Sequence, residues 1–396
     1  MFKMSLTDDV IYIIDRLHKH GYSAHVVGGS VRDSLIGREL GDFDITTDAL
    51  PEQTKAVFSD QKTVDTGIKH GTVTLVLSGV PYEITTYRVD GDYKDNRHPD
   101  SVTFTASLCE DLARRDFTVN AMAYDPEGGL VDPFDGCGDA KRRIIRAVGD
   151  PRRRFDEDAL RILRALRFAS VLSFDIDTDT ADAARELAGR LTSISKERIY
   201  TELKKLILGD NALFVIEKFS DVLAYATEGI GLSALPGAER YKSADYLTRL
   251  GALIYLNTDK PEETADRLLT ALKTDKLTRT QTISTYRAYE GGSFASEAEL
   301  LHTLRKYSTE ATEGAIMLGI LLGRFTEKER ELLDLALSSG KPYTVSHLDI
   351  RGTDLTALGI RGESVGHSLE LLLAAVIDGK VNNEKHALIQ YLSDNT

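Results

Sequence analysis

Apolar residues recur along the first part of the chain with two different periods, and the changes of period mark out the elements. Val10, Ile13, Ile14 and Leu17 follow an i, i+3, i+4, i+7 spacing that places them on one helical stripe, with Thr7 suited to cap its start and Gly21 to end it. A short apolar run then passes through Val26 and Val27 into the pair Gly28 and Gly29, a strand delivered to a tight turn. A helix starter follows and ends at Gly37, after which Asp42, Phe43, Asp44 and Ile45 alternate as a half-buried strand. Pro51 opens a further helix through Phe58, because a fixed φ and a missing N–H suit the first helical position. Residues 72–78 and 82–88 alternate as two strands around Gly79, Val80 and Pro81. The pattern predicts a small mixed sheet with helices.

From Phe155 the period becomes helical. The run FDEDALRILRALRFAS contains neither Gly nor Pro and carries Leu160, Leu163 and Leu166 among its apolar positions, so it predicts one helix. Beyond about residue 200 nearly everything reads as helix, including 198–208 and 315–322. SSGKP at 338–342 reads as a boundary, and after it Val365, Leu369, Leu372, Leu373 and Val376 form one side of a late helix. The polar stretch 90–99, with Lys94 and Arg97, has no apolar period and predicts a loop.

A chain of 396 residues exceeds what one core usually supports, so several packed units are expected. No stretch approaches the roughly 20 apolar residues of a membrane span, and no signal peptide opens the chain, which predicts a cytoplasmic protein without membrane contact. Cys109 and Cys137 are expected to remain thiols. A net charge of −13 argues against nonspecific nucleic-acid binding, but residues 141–167 hold ten basic and four acidic side chains, enough for one basic groove on an acidic body.

The densest chemistry lies in 26–47, VVGGSVRDSLIGRELGDFDITT. A glycine pair before a helix leaves N–H groups free for an anion, and Arg32 brings a matching charge to the first turn. Strand alternation puts Asp42 and Asp44 on one face, a pair of oxygen ligands suited to Mg²⁺ carrying a nucleoside triphosphate. Taken singly, a glycine pair is usually a turn and an Asp-x-Asp pair usually solvated surface. Together and in this order they resemble the head motif of the tRNA CCA-adding enzymes and bacterial poly(A) polymerases, the class II nucleotidyltransferases.

Three further segments extend the resemblance. Glu83 shares a strand face with Thr85 and Tyr87 and is either a third carboxylate beside Asp42 and Asp44 or an exposed strand residue. RRDFTVNA at 114–121 reads by itself as a surface helix, whereas the resemblance implies a motif closing over the nucleotide, with Arg115 on phosphate and Asp116 on the ribose. EDALR at 157–161 matches the family's EDxxR. Asp158 and Arg161, three apart, form either a weak surface salt bridge or a reader of base edges. An acceptor beside a guanidinium matches adenine (N6 amino, N1) and cytosine (N4 amino, N3 and O2), whereas uracil and guanine present a carbonyl instead. The resemblance also implies that Arg164 and Arg167 meet the triphosphate or the RNA end, and that DIRGTDLTALGIRGESVG is part of an RNA-binding tail, a plain helix-loop-helix being the alternative. No His-Asp dipeptide occurs, in keeping with the Bacillus-type members that lack a phosphohydrolase domain.

The resemblance therefore implies an α/β head of nucleotidyltransferase fold, a small mixed sheet with helices (1–136), followed by an all-α neck (137–200), body (201–340) and tail (341–396). It implies Mg²⁺-dependent addition of CMP and AMP from CTP and ATP to a tRNA 3′ end, without a covalent protein nucleophile. Asp42 and Asp44 would hold the metal, and Gly28, Gly29, Arg32 and Arg115 the triphosphate. A poly(A) polymerase, an enzyme adding only CC or only A, and a catalytically silent tRNA-binding protein are the alternatives. The oligomeric state is left open.

Overall fold

The computed structural model describes residues 2–91 and 102–395. Two compact units divide the chain, Met1–Gly229 and Ile230–Thr396. The expected loop at 90–99 lies outside the described residues apart from its first two positions.

The first unit begins with α1 (Asp8–Lys19), capped by the Thr7 side chain and burying Val10, Ile13, Ile14 and Leu17. A helix of this length is marginal in isolation, whereas burying four such side chains contributes roughly 6–12 kcal/mol before entropy is counted, so packing rather than propensity holds it. In order follow β1 (Ala24–Val27), α2 (Gly29–Leu35), β2 (Asp44–Thr47), α3 (Pro51–Val57), β3 (Lys62–Gly67), β4 (Thr72–Leu77) and β5 (Val80–Thr86). The β4–β5 turn is tighter than expected. Ser78 and Gly79 both take positive φ, and Val80 and Pro81 already belong to β5, paired with Leu77 and Val76. After β6 (Arg88–Asp90) and β7 (Val102–Phe104) come α4 (Leu108–Ala113), β8 (Ala123–Asp125), β9 (Gly129–Val131) and α5 (Gly136–Arg142).

Seven strands form one mixed sheet in the order β3-β4-β5-β2-β1-β8-β9. Its central pair, β2 and β5, is parallel and sets Asp44 opposite Glu83 and Ile45 opposite Ile84. Alternation divides β1 between two cores. Ala24 and Val26 join the α1 side with Ile45, Phe58, Leu75 and Ile84, and Val27 joins Leu112, Ala121, Ala123 and Val148.

The helical part of this unit contains α6 (Pro151–Glu157), α7 (Leu160–Leu172), α8 (Thr178–Glu186) and α9 (Lys196–Leu208). One helix was expected from Phe155 to Ser170, and two are found. Asp158 is extended at φ −146° and ψ 103°, and its Oδ1 accepts from the Leu160 N–H at 3.0 Å. An Asp side chain competes with the helix for backbone donors and begins helices better than it continues them, so the chain breaks and restarts there.

The second unit is helical throughout its named elements and includes Thr309–Leu322 and Glu363–Ile377. In the latter, Ser368, Leu372, Leu373, Ala375 and Ile377 are buried; of the expected face Leu372 and Leu373 are among them, while Val365, Leu369 and Val376 are half-buried. Cys109 and Cys137 are free thiols. Among the described residues no helix is long and apolar enough to cross a membrane.

Candidate active-site cleft

A cleft of about 790 Å³ opens in the first unit, with the sheet end on one side and the helical segment on the other. Ten of the twelve residues singled out from the sequence line it: Gly28, Gly29, Arg32, Asp44, Glu83, Arg115, Asp116, Asp158, Arg161 and Arg164. Asp42 and Arg167 do not. The lining carries seven arginines against four carboxylates, so the cleft is basic although the chain is acidic.

At the sheet end, Gly28 sits at φ +77° between β1 and α2, and a Cβ there would lie 3.3 Å from Arg115 Nη1. The backbone requires glycine, and a Cβ would also crowd the Arg115 guanidinium. Arg32 is not free for an anion in the way its position suggested. It is buried, donates from Nε and Nη2 to Asp33 at 3.0 Å each, and donates from Nη1 to Asn120 Oδ1.

Strand β2 begins at Asp44, so Asp42 lies on the segment entering it and strand alternation does not fix its direction. The two carboxylates are nevertheless close enough to act on each other. Desolvation by the surrounding cleft raises the Asp44 carboxyl above its ordinary range; Arg115 opposes this and the negative charge of Asp42 adds to it. Glu83 stands next to Asp44 in register, and among the described residues Asp42, Asp44 and Glu83 have no side-chain ion pair or hydrogen bond. No set of three or more His, Cys, Asp or Glu side chains among the described residues is arranged to hold a metal ion. Two adjacent hard oxygen donors with no ion pair of their own among the described residues do fit a divalent ion whose remaining ligands are phosphate and water.

Opposite this edge, every lining carboxylate has an arginine. RRDFTVNA is not a surface helix: Arg114 ends α4, Phe117 is extended and buried, and residues 118–120 form one 3₁₀ turn. Asp116 Oδ2 accepts from Arg164 Nε and Nη2 at 2.8 and 2.6 Å, and Oδ1 accepts from Asn120 Nδ2 at 3.1 Å. Burial would push the Asp116 carboxyl up, but the charge of Arg164 and the hydrogen bonds from Asn120 and Arg164 bring it down to about 2. Behind it, fully buried Asp111 accepts from Arg114 Nη2 at 2.7 Å, Arg115 Nη2 at 3.2 Å and Thr46 Oγ1 at 3.4 Å. Burial again pushes upward, and the two arginines hold Asp111 below the ordinary carboxylate range.

Asp158 and Arg161 are not a helix-surface pair. Asp158 pairs with Arg198 of α9 at 2.7 Å, and Arg161 pairs with Glu157 at 2.6 Å. Three guanidiniums surround the Phe168 ring: Arg167 at 3.7 Å, Arg32 at 5.2 Å and Arg164 at 5.6 Å from its centroid. Arg167 also lies 2.7 Å from Glu202, turned to its own ion pair rather than to the cleft. The sequence had not singled out Asp111, Asn120, Phe168, Arg198 or Glu202. Asn120 was within reach, being inside RRDFTVNA and four residues from Asp116. Nothing local identified Arg198.

The chain is similar to several known proteins. Residues 24–146 match a family profile described as the Poly A polymerase head domain, and residues 173–221 one described as a probable RNA and SrmB-binding site of polymerase A. A CCA-adding enzyme from Geobacillus thermodenitrificans is 36% identical over 406 residues, spanning 96% of this chain and 95% of its own. The crystal structure of the Bacillus stearothermophilus CCA-adding enzyme in complex with CTP matches with a TM-score of 0.82 and 33% identity, over 98% of this chain and 96% of that one. A Thermotoga maritima CCA-adding enzyme complexed with tRNA shares the fold at a TM-score of 0.68 and 20% identity, over 99% and 97%.

Proposed function

Since the chain belongs to the family of CCA-adding enzymes, we infer that it builds the 3′-terminal CCA of tRNA from CTP and ATP by template-independent nucleotidyl transfer. The observation that carries this reading is one cleft in which Asp44 and Glu83, without a side-chain ion pair among the described residues, stand opposite an arginine-rich wall that contains the EDxxR segment. The RNA 3′ oxygen attacks the α-phosphorus, a new P–O bond forms, and the bond to pyrophosphate breaks. Family membership implies a divalent metal, and the oxygen-only pair Asp42 and Asp44 favours Mg²⁺. Bound there, the ion supplies a Lewis acid for the α-phosphate and lowers the pKa of the attacking hydroxyl.

The chain's own residues do the rest. Arg115, held by Asp111 and passing close over Gly28, is placed to meet the triphosphate beside Gly29. Arg32, Arg164 and Arg167 keep a positive field around Phe168, although each is already paired, so they act by position more than by free charge. Asp116 fixes Arg164, and its carboxylate remains ionised and able to accept from a ribose hydroxyl. Glu83 is the third carboxylate of the edge. Asp158 accepts from the amino group of C or A while Arg161 donates to the ring, and a base with a carbonyl at that place leaves a charged partner unpaired. This reading includes a cytoplasmic location, where tRNA, CTP and ATP are available. The four-part division at 136, 200 and 340 remains our assignment of head, neck, body and tail.

The test supplies a tRNA lacking its 3′ end, or an unstructured RNA of equal length, with CTP and ATP separately and together. Addition of C, C and A to the tRNA, stopping there and with the unstructured RNA bound more weakly at moderate salt, is the expected result. A long A tail from ATP alone, with equal affinity for both RNAs, would replace this reading by that of a poly(A) polymerase.

A further inference from the structure

The base reader has a member that its own motif does not contain. Asp158 lies at the break between α6 and α7, where no helix holds its side chain, and two other contacts orient it. The Leu160 N–H donates to Oδ1 at 3.0 Å, and Arg198 donates from Nη2 to Oδ2 at 2.7 Å and from Nη1 to Oδ1 at 3.4 Å. The Leu160 contact alone leaves the carboxylate plane free to turn about Oδ1. The guanidinium fork spans both oxygens and fixes that plane, because its donors are rigid and coplanar. Arg198 comes from α9, 40 residues further along the chain, and both side chains line the cleft. Meanwhile Arg161 is held by Glu157, four residues back. The two reading groups are thus anchored separately.

We propose that Arg198 is a positioning residue that sets nucleotide selectivity by fixing the orientation of Asp158. This rests on the reading of Asp158 as the amino-group acceptor. An acceptor demands an amino group only when its lone pair points along one direction. With Arg198 gone, Oδ2 can turn aside, and the penalty for a base lacking the amino group shrinks. An arginine that bound phosphate instead would affect all four nucleotides alike, since they share the triphosphate.

The experiment measures kcat and KM for CTP and for UTP on a tRNA lacking its 3′ end, in wild type and in Arg198→Met, Arg198→Lys, Asp158→Ala and Asp158→Ala/Arg198→Met. Arg190→Met serves as control; Arg190 belongs to the same unit but pairs with Asp156 outside the cleft. Asp158→Ala is expected to narrow the CTP-over-UTP ratio of kcat/KM by roughly tenfold to a hundredfold, the range of one good base contact. Arg198→Met should narrow it by roughly tenfold, Arg198→Lys should recover part of the loss, and the double variant should equal Asp158→Ala, because one residue acts through the other. Arg190→Met should leave the ratio unchanged. The ratio does not depend on how much enzyme is folded, so an unstable variant remains informative. Equal losses for CTP and UTP in Arg198→Met, further narrowing in the double variant, or the same narrowing in Arg190→Met would each overturn the proposal while leaving the base reader standing. An unchanged ratio in Asp158→Ala would instead remove the base reader, and the role of Arg198 with it.

Discussion

The two walls of the cleft use the same side chain in opposite ways. On the sheet edge, Asp44 and Glu83 have no side-chain ion pair or hydrogen bond among the described residues, and Asp44 is raised by its surroundings and by neighbouring Asp42, with Arg115 opposing. On the facing wall, Asp116 is gripped by Arg164 and Asp158 by Arg198, and burial of Asp116 is outweighed rather than relieved. A carboxylate that a protein keeps partnered is structural or oriented. One kept beside another carboxylate is destabilised until a cation arrives. The difference separates residues that hold the site together from residues that wait for a ligand.

Removing a waiting carboxylate should damage chemistry and spare the fold. Asp44→Ala or Asp42→Ala should slow single-turnover CMP addition by on the order of a thousandfold or more, the scale of several kcal/mol of barrier. Asp42 precedes the strand, Asp44 stands at its first residue, and neither belongs to a hydrophobic core, so circular dichroism should be unchanged. Near-normal turnover in either variant would erase the contrast between the walls.

Removing a partnered carboxylate should be felt in stability as well. With a folded pKa of about 2, against an unfolded value near 4, Asp116 contributes roughly 2–3 kcal/mol at neutral pH. A depressed carboxyl stabilises above its unfolded pKa, and that contribution is lost as pH falls from about 4 towards 2. Asp116→Asn should therefore lower the urea midpoint at pH 7 by at least the equivalent of about 2 kcal/mol, and the gap to wild type should shrink at pH 3. A constant gap would mean that the Arg164 pair does not hold the wall.

At the small end stands an ion pair outside the cleft. Arg152 and Glu186, 2.8 Å apart, are both about half exposed. Arg152→Ala should change stability by less than about 1 kcal/mol and leave transfer intact. A larger effect would show that exposed pairs in this unit matter as much as the cleft pairs.

The sheet edge was legible because its signals are local. A period of two, a glycine pair and a proline at a helix start each act within a few residues, and Val26, Gly28, Asp44 and Glu83 stand where those patterns put them. The facing wall was legible as motifs but not as geometry. The helix break at Asp158 lay hidden in a run rich in helix formers; the available signal was an aspartate, a good cap, just before Ala159 and Leu160. The partners of that wall, Arg198 for Asp158 and Glu202 for Arg167, are far apart in sequence and meet only because α7 packs on α9. Arg32 taught the same lesson in reverse: the free charge predicted from its position is taken up by Asp33 and Asn120.

The contrast between the walls is tested most directly by metal dependence. Asp44→Glu and Asp158→Glu both keep a carboxylate but displace it by one methylene, one on each wall. Single-turnover CMP addition is measured against divalent-ion concentration for wild type and both variants. The half-maximal concentration should rise by about tenfold or more in Asp44→Glu and stay at the wild-type value in Asp158→Glu. An unshifted curve in Asp44→Glu, or an equal shift in both, would contradict the assignment of the unpartnered edge as the cation site.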